Sequence, residues 1–498
     1  MEKTAPEIQP LADLEPNWAG RLIFLTLCVA IVLSTVAFGT VDYAALAVFQ
    51  TGAALIVAYW VVDAWRSGTL RLSRNVLQWP FIGLIAVGLI QVFPFGSAGD
   101  VGGALSGQIP RTLSLDPYAT RLTLIQLFAL LIYFAAALSY IDSPKRLRTI
   151  VRTIIVFGFV LGFLAIIQAL ISPTKIYGLR EPLLAVPFGP FVNRHNFAGY
   201  MEMTLALPLG MMFSGAVERE KRLLYLTAIA LMGVALLLSG SRGGMISLVA
   251  MIFFLVALSA FRTKVDGIAP GVSARTRHIV RRVGLGMALL LAIGVGVTLI
   301  GGETSLSRFM DSVNTSDPTT GRAQVWRVTV DIVKAHPVLG AGLGAYGVAF
   351  TPFDPHNGVS RAEQAHNDYL QVLADAGIIG AILGVVFIIA LFRMGFEIRQ
   401  SPDIFRRGVA TGALAACFAV LVHSFLDFTL HTTSNALLFL TMAALATVDG
   451  RTERLVRRFR RRRHVPYVPA SEVRSPARKD EASIGADDEY EDVYEYEE

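Results

Sequence analysis

The chain has 498 residues, of which 54% are hydrophobic and only 16% are charged, with a formal net charge of +6. Soluble globular domains carry about 25% charged residues, and the apolar residues here lie in long blocks instead of alternating with polar ones. This pattern excludes an ordinary soluble enzyme and is typical of an integral membrane protein.

The first predicted element is a leader, residues 1–19, which contains acidic residues and prolines. The apolar block that follows is too long for the hydrophobic core of a signal peptide. We therefore expect no cleavable signal, a first span that stays in the membrane, and a leader that lies in the cytoplasm.

Twelve apolar blocks follow, each near the roughly 20 residues that a helix needs to span a bilayer. They predict an all-α fold: a polytopic membrane helix bundle of about twelve transmembrane helices within residues 20–449. A large, partly helical periplasmic loop, residues 302–366, is expected between helices 9 and 10. The predicted spans are residues 20–39, 43–65, 77–95, 120–141, 148–172, 197–214, 222–240, 243–261, 283–301, 367–392, 407–428 and 432–449.

Lysine and arginine concentrate in alternate loops, which sets the expected orientation because basic loops stay in the cytoplasm. The opposite loops, around Asp42 and Asp427 and at 240–242, contain together only Arg242. An even number of spans then places both termini in the cytoplasm, and we expect a bacterial inner-membrane protein. The basic set includes Arg66, Arg71, Arg74, Lys145, Arg146, Arg148, Arg219, Lys221, Arg222, Arg262, Lys264, Arg275, Arg393, Arg399, Arg406 and Arg407.

A polar cluster opens the sixth span in the stretch NRHNFAGYMEM, which contains Asn193, Arg194, His195 and Asn196. These side chains supply hydrogen-bond donors at the outer membrane boundary. Such residues can cap and solvate a helix end or bind a substrate, and the sequence leaves both interpretations open.

Arg242 lies in the stretch SGSRGG, a turn of a few residues between the seventh and eighth spans. It is therefore expected at the outer membrane boundary, where its neighbouring glycines leave the backbone open to a ligand. An arginine at such a place can also simply extend to the interface.

The large outer loop contains GRAQVWRVTVDIVKAHP, which predicts an amphipathic helix that begins at Arg322 and stops at Pro337. Ala323, Trp326, Val330 and Val333 are expected to share its apolar face. Arg327, Asp331 and Lys334 are expected on the other face. The next stretch, GAGLGAYG, fits GxGxxG, but no strand precedes it, so we predict a tight glycine turn and no dinucleotide site.

The stretch AHNDYLQVLADAG begins at the end of this loop, where Asn367 or Asp368 can cap the tenth span. Just before it, residues 345–364 combine aromatic and polar side chains suited to stacking on sugars. His366, Arg242 and Arg322 are all predicted at the outer interface, and this shared depth favours a common functional site. Farther on, His423 and Asp427 are four residues apart and are interpreted as a structural pair on one helix face.

The last part of the chain, residues 450–498, is predicted to be a disordered cytoplasmic tail. An arginine run from Arg457 to Arg463 opens it, and the acidic stretch DDEYEDVYEYEE closes it. As an alternative to a tail without contacts, it could bind anionic lipid head groups or a cytoplasmic partner.

Four stretches in this order, NRHNFAGY, SGSRGG, GRAQVW…HPVLGAGLGAYG and AHNDYLQVLADAGIIG, resemble the family of O-antigen ligases and O-antigen or exopolysaccharide polymerases. The resemblance covers residues 190–390 and extends to the rest only by the number of spans. It does not separate the branches of the family, and the tail is not part of its pattern.

The resemblance implies a glycosyltransferase at the periplasmic face of the inner membrane. Its donor would be a glycan on undecaprenyl diphosphate, and its acceptor would be lipid A–core in a ligase or a growing glycan in a polymerase. Membrane lipids would surround it, and nucleic acid would play no part.

Residue chemistry agrees with that implication. Arg242 and Arg322 can neutralise a departing diphosphate with forked hydrogen bonds, so no metal or other cofactor is required. His366 can act as general base, since histidine exchanges a proton near neutral pH. The remaining substrate-binding candidates are Asn193, Arg194, Asn196 and Asn367. A direct displacement would invert the anomeric centre.

Several alternatives remain open. We favour O-antigen ligation, with repeat-unit polymerisation as the alternative within the family. A transporter or flippase for lipid-linked sugars would place ionisable residues near the membrane midplane, and Asp63 and Glu202 fit that expectation. A non-catalytic assembly protein, or an enzyme that transfers glycan to protein, would also fit the span pattern.

Overall fold

The computed structural model describes residues 18–96, 111–183, 185–260, 284, 322–355 and 362–448. Several predictions therefore lie outside the described residues: the leader up to residue 17, the ninth span, the first part of the large loop and the tail.

The described residues are helical, which confirms the all-α prediction, and eleven of the twelve predicted spans correspond to observed helices. Within the described ranges, seven helices are long and apolar enough to cross a membrane, and three shorter apolar helices accompany them. The total of twelve spans stays a prediction. The α-helices are α1 Trp18–Val36, α2 Tyr43–Ser67, α3 Gln78–Val92, α4 Pro117–Tyr140, α5 Pro144–Ile171, α6 Arg194–Ser214, α7 Arg222–Leu238, α8 Arg242–Ala260, α9 Arg322–Ala335, α10 Tyr346–Phe350, α11 Asp368–Ile398, α12 Ile404–His423 and α13 Thr433–Thr447.

Side-chain caps fix where several of these helices begin. Ser143 accepts a hydrogen bond from the backbone N–H of Arg146 and precedes Pro144, the first residue of α5. Asn193 and Asn367 cap α6 and α11 in the same manner. A cap satisfies backbone donors that the first turn leaves unpaired, so these residues set where the three helices begin.

Helix α6 forms the centre of the bundle, and nearly all of its side chains are buried. It packs closely against α12, because Gly210 and Gly412 lie where the helices approach, and a Cβ atom on Gly210 would overlap the Cα atom of Gly412. Small residues allow helix backbones to come this close in membranes. The start of α6 and the end of α12 are thereby held together.

Helix α11 is interrupted at Gly377, whose φ of 63° and ψ of −162° are not helical. The glycine turn inserts at this break: the N–H of Ala341 donates to the carbonyl of Ala374 (2.8 Å), and the N–H of Gly342 donates to that of Asp375 (3.1 Å). The tight-turn prediction is confirmed by positive φ angles at Gly340, Gly342 and Gly344. The turn therefore holds the short segment of α11 that precedes the break.

Gly340→Ala is expected to destabilise the protein more than Gly178→Ala. Both glycines have a φ of 73°, so both substitutions carry about 1–2 kcal/mol of backbone strain. A Cβ atom at Gly340 would also overlap the backbone of Asp375, whereas at Gly178 it meets no atom within 4 Å. Overpacking adds about 1–3 kcal/mol. Thermal unfolding in detergent should show the lower midpoint for Gly340→Ala, and equal midpoints would contradict this close packing.

Candidate active site

The carboxylate of Asp427 lies at the centre of the candidate site, in the loop 424–432 between α12 and α13. It is nearly fully buried, with 1% of its side chain exposed. Three basic side chains approach it: Arg322 Nη2 at 3.0 Å, His366 Nδ1 at 3.3 Å and His195 Nδ1 at 3.6 Å. One carboxylate thus joins residues from α6, α9 and the segment before α11.

His366 holds an unusual backbone position just before α11. Its φ of 51° lies in the left-handed region, which non-glycine residues seldom adopt. The ring packs edge-on against Phe428, with 4.9 Å between the ring centroids. Because Nδ1 faces Asp427, Nε2 lies on the other side of the ring, and 36% of the side chain is exposed. The ring is therefore oriented by the protein and open to a ligand.

Arg322 is the first residue of α9, as predicted. Its Nη1 donates to the carbonyl of Leu426, while Nη2 contacts Asp427. The predicted apolar face of α9 is wrong in part, since Val330 is 41% exposed and the buried side chains are Val328, Thr329 and Ile332. These three residues pack against α10, where Thr329 hydrogen-bonds Tyr346 (2.7 Å).

His195 connects the site to the turn before Arg242. Its Nδ1 lies 2.9 Å from the hydroxyl of Ser241, and Arg242 follows as the first residue of α8. Arg194, beside His195, extends toward Gly240 of the same turn, with Nη1 3.4 Å from the position that a Cβ atom would occupy there. The structure therefore brings the two predicted clusters, NRHN and SGSRGG, to one place.

The asparagines predicted to bind substrate have structural contacts of their own. Asn193 Oδ1 accepts from the N–H of His195 (2.9 Å), and Asn367 Oδ1 accepts from two N–H groups at the start of α11. Asn367 Nδ2 also donates to the carbonyl of Phe425 (3.1 Å). Asn196 is buried, and its carbonyl accepts from Asn435 Nδ2 (3.0 Å). Contact of these asparagines with substrate stays a prediction.

The surroundings of Asp427 stabilise its charged form. Burial alone would raise the pKa of this carboxyl. The hydrogen bond with His366 and the charges of His195, Arg322 and His423 oppose that effect and hold its pKa well below the usual range. Asp427 is therefore an anion at neutral pH, able to stabilise a positive charge on His366.

Residues 227–385 match the family model described as O-antigen ligase. This part of the chain, about a third of its length, resembles the O-antigen ligase family. A curated relative from Pseudomonas aeruginosa, named O-antigen ligase, is 24% identical over 283 residues, which cover 56% of this chain and 59% of the relative. The chain thus matches about three fifths of that relative's length. The predicted family resemblance is confirmed.

The O-antigen ligase match contains Arg242, Arg322 and His366 but neither His195 nor Asp427. The sequence did not identify Asp427 as a site residue, because its four-residue spacing from His423 suggested a pair on one helix. That interpretation is wrong: α12 ends at His423, and Asp427 lies in the loop beyond it. The partner of His423 is Glu202, whose Oε2 lies 3.1 Å from its Nδ1.

The structure also places the aromatic side chains predicted for sugar stacking differently. Tyr346 and Phe350 are buried in a small core with Val328 and Ile332. Burial raises the pKa of Tyr346 to about 12, so its hydroxyl stays protonated beside Thr329. Of the aromatic residues in this stretch, Phe353 remains 37% exposed. Residues 356–361 lie outside the described part of the chain.

Proposed function

We propose that the protein transfers a glycan from undecaprenyl diphosphate to a sugar acceptor at the periplasmic face of the inner membrane, with lipid A–core as the acceptor. The observation that carries this proposal is the shared carboxylate of Asp427, which joins Arg322 and His366 at the ends of separate helices. The match of residues 227–385 to the O-antigen ligase family model supports it.

The donor's diphosphate would bind where Arg242 and Arg322 begin α8 and α9. Each arginine can form forked, charge-assisted hydrogen bonds with phosphate oxygens. A helix N-terminus adds unpaired N–H groups and a partial positive charge. The negative charge that develops as the diphosphate departs is thereby stabilised without a metal ion.

His366 would act as the general base. The acceptor hydroxyl oxygen attacks the anomeric carbon, the bond from that carbon to the phosphate oxygen breaks, and the hydroxyl proton moves to Nε2 of His366. Asp427, on the Nδ1 side, stabilises the resulting imidazolium. A single displacement of this type inverts the anomeric centre.

The proposed orientation places the site outside the cytoplasm. The starts of α6, α8 and α11 and the end of α12 lie at one end of the bundle. His195 hydrogen-bonds Ser241 there, His366 contacts Asp427, and Ser424 donates to Asp368. The loops at the other ends of these helices are rich in lysine and arginine, which favours a cytoplasmic location for them. Both termini are then cytoplasmic.

The test is an assay of purified protein with an undecaprenyl-diphosphate-linked repeat unit and lipid A–core together. A ligase should move glycan onto lipid A–core. A polymerase, the alternative, should instead lengthen the carrier-linked glycan and leave lipid A–core unmodified. Absence of both products, with movement of the lipid-linked sugar across proteoliposome membranes, would replace the enzyme proposal with a transporter.

A further inference from the structure

A second pair of histidine and carboxylate lies beside the first. His431 Nδ1 is 2.9 Å from Asp368 Oδ1. The other oxygen of Asp368 accepts from the hydroxyl of Ser424 (2.7 Å) and from the N–H of Leu430 (3.4 Å). Asp368 is therefore fixed on both oxygens, and it fixes the orientation of the His431 ring in turn.

The ring of His431 is accessible, although the threonines on either side of it in the chain are buried. Its side chain is 31% exposed, whereas Thr429, Thr432 and Thr433 on either side are buried. Because Nδ1 faces Asp368, Nε2 lies toward the accessible side of the ring. The histidine thus presents one hydrogen-bonding atom to the surface between buried threonines.

The charge around His431 is opposite to that around Asp427. Burial would lower the pKa of His431, but the bond with Asp368 and the charges of Asp368 and Asp375 outweigh this and raise it. The two charged groups that raise this pKa, Asp368 and Asp375, are both carboxylates. A diphosphate would be repelled by them, whereas neutral sugar hydroxyls hydrogen-bond well with histidine and carboxylate groups.

The two pairs come from the same two segments of chain. His366 and Asp368 are separated by one residue, and their respective partners, Asp427 and His431, both lie in the loop 424–432. A hydroxyl-bearing ligand at His431 would therefore lie near the proposed base.

We propose that His431 and Asp368 form the subsite for the acceptor, in which Nε2 of His431 hydrogen-bonds a hydroxyl of the acceptor's sugar. This proposal rests on the proposed glycosyl transfer. It assigns the neutral sugar of the acceptor to His431 and Asp368 and leaves the donor's diphosphate with Arg242 and Arg322.

Footprinting of the wild-type protein tests the subsite without any substitution. Diethyl pyrocarbonate acylates accessible histidines, and mass spectrometry reports the rate at each one. Deacylated core oligosaccharide should slow the modification of His431 but not that of His336, a histidine in the loop after α9. Undecaprenyl diphosphate should leave the rate at His431 unchanged. An unchanged rate with saturating oligosaccharide, or protection by undecaprenyl diphosphate alone, would overturn the assignment.

Kinetics of His431→Gln provide the second measurement, with His336→Gln as the matched control. Loss of one hydrogen bond should raise KM for lipid A–core about three- to ten-fold, while kcat and donor binding stay near wild type. A fall in kcat with KM unchanged would overturn the subsite. If the wild-type protein transfers no glycan, the proposed function fails too. If it does transfer glycan, and His431 affects neither KM nor footprint, the subsite fails alone.

Discussion

His366→Ala is expected to slow glycan transfer about a hundred- to ten-thousand-fold, the usual effect of removing a general base. Binding of undecaprenyl-diphosphate-linked glycan should stay near wild type, because the diphosphate is assigned to the arginines. Single-turnover rates with prebound donor measure the first quantity, and equilibrium binding of the donor to the purified variant measures the second.

His366→Asn distinguishes the effect of losing the imidazole base from the effect of disturbing the backbone at this position. Asparagine tolerates a positive φ better than alanine does, so this variant keeps the backbone position that His366 occupies at 51°. Both variants should be slow if the imidazole accepts the proton. Recovery of the wild-type rate in His366→Asn would show that the position matters only as the start of α11.

Arg322→Ala is expected to reduce transfer by about ten-fold to more than a hundred-fold, since a hydrogen bond to a charged group contributes about 1.5–3 kcal/mol. Donor affinity should fall with it. Arg322→Lys should recover only part of the activity, because an ammonium group cannot form the forked contact. Arg327→Ala is the matched control: it removes an exposed arginine from the same helix and should keep wild-type activity.

A double substitution distinguishes a role in phosphate binding from a role in holding Asp427. Arg322 Nη2 contacts Asp427 at 3.0 Å, so Arg322→Ala also removes a cation from a buried carboxylate. If Arg322 acted only through that carboxylate, adding Arg322→Ala to Asp427→Asn would cause no further loss. We expect a further loss in donor affinity.

Hydropathy predicted the bundle well because a helix that crosses lipid must be apolar over about 20 residues. The position of Arg322 at the start of α9 and of Asn367 as a cap followed from local rules as well. Helix α9 shows the limit of such rules. Its buried face depends on the core it packs against, around Tyr346 and Phe350, and the periodicity of the helix alone selected Val330 wrongly.

The centre of the site was not predictable from spacing. Asp427 lies 61 residues from His366 and 105 from Arg322 along the chain, and no local pattern connects residues so far apart. The sequence suggested that Arg242, Arg322 and His366 share one depth at the membrane boundary. It did not indicate that a carboxylate would connect two of them, or that His195 would approach the same oxygen as Arg322.

The position of Asp427 outside residues 227–385 has a consequence for protein engineering. A chimera that receives only that segment from a relative would take its arginines and His366 equivalent from the relative. Its carboxylate and its start of α6 would come from the host protein. Its catalytic groups would then come from two proteins that were never optimised together. Exchanges meant to alter glycan or acceptor choice should therefore transfer the start of α6 and the loop 424–432 with the segment, so that the contacts made by Asp427 are inherited as one unit.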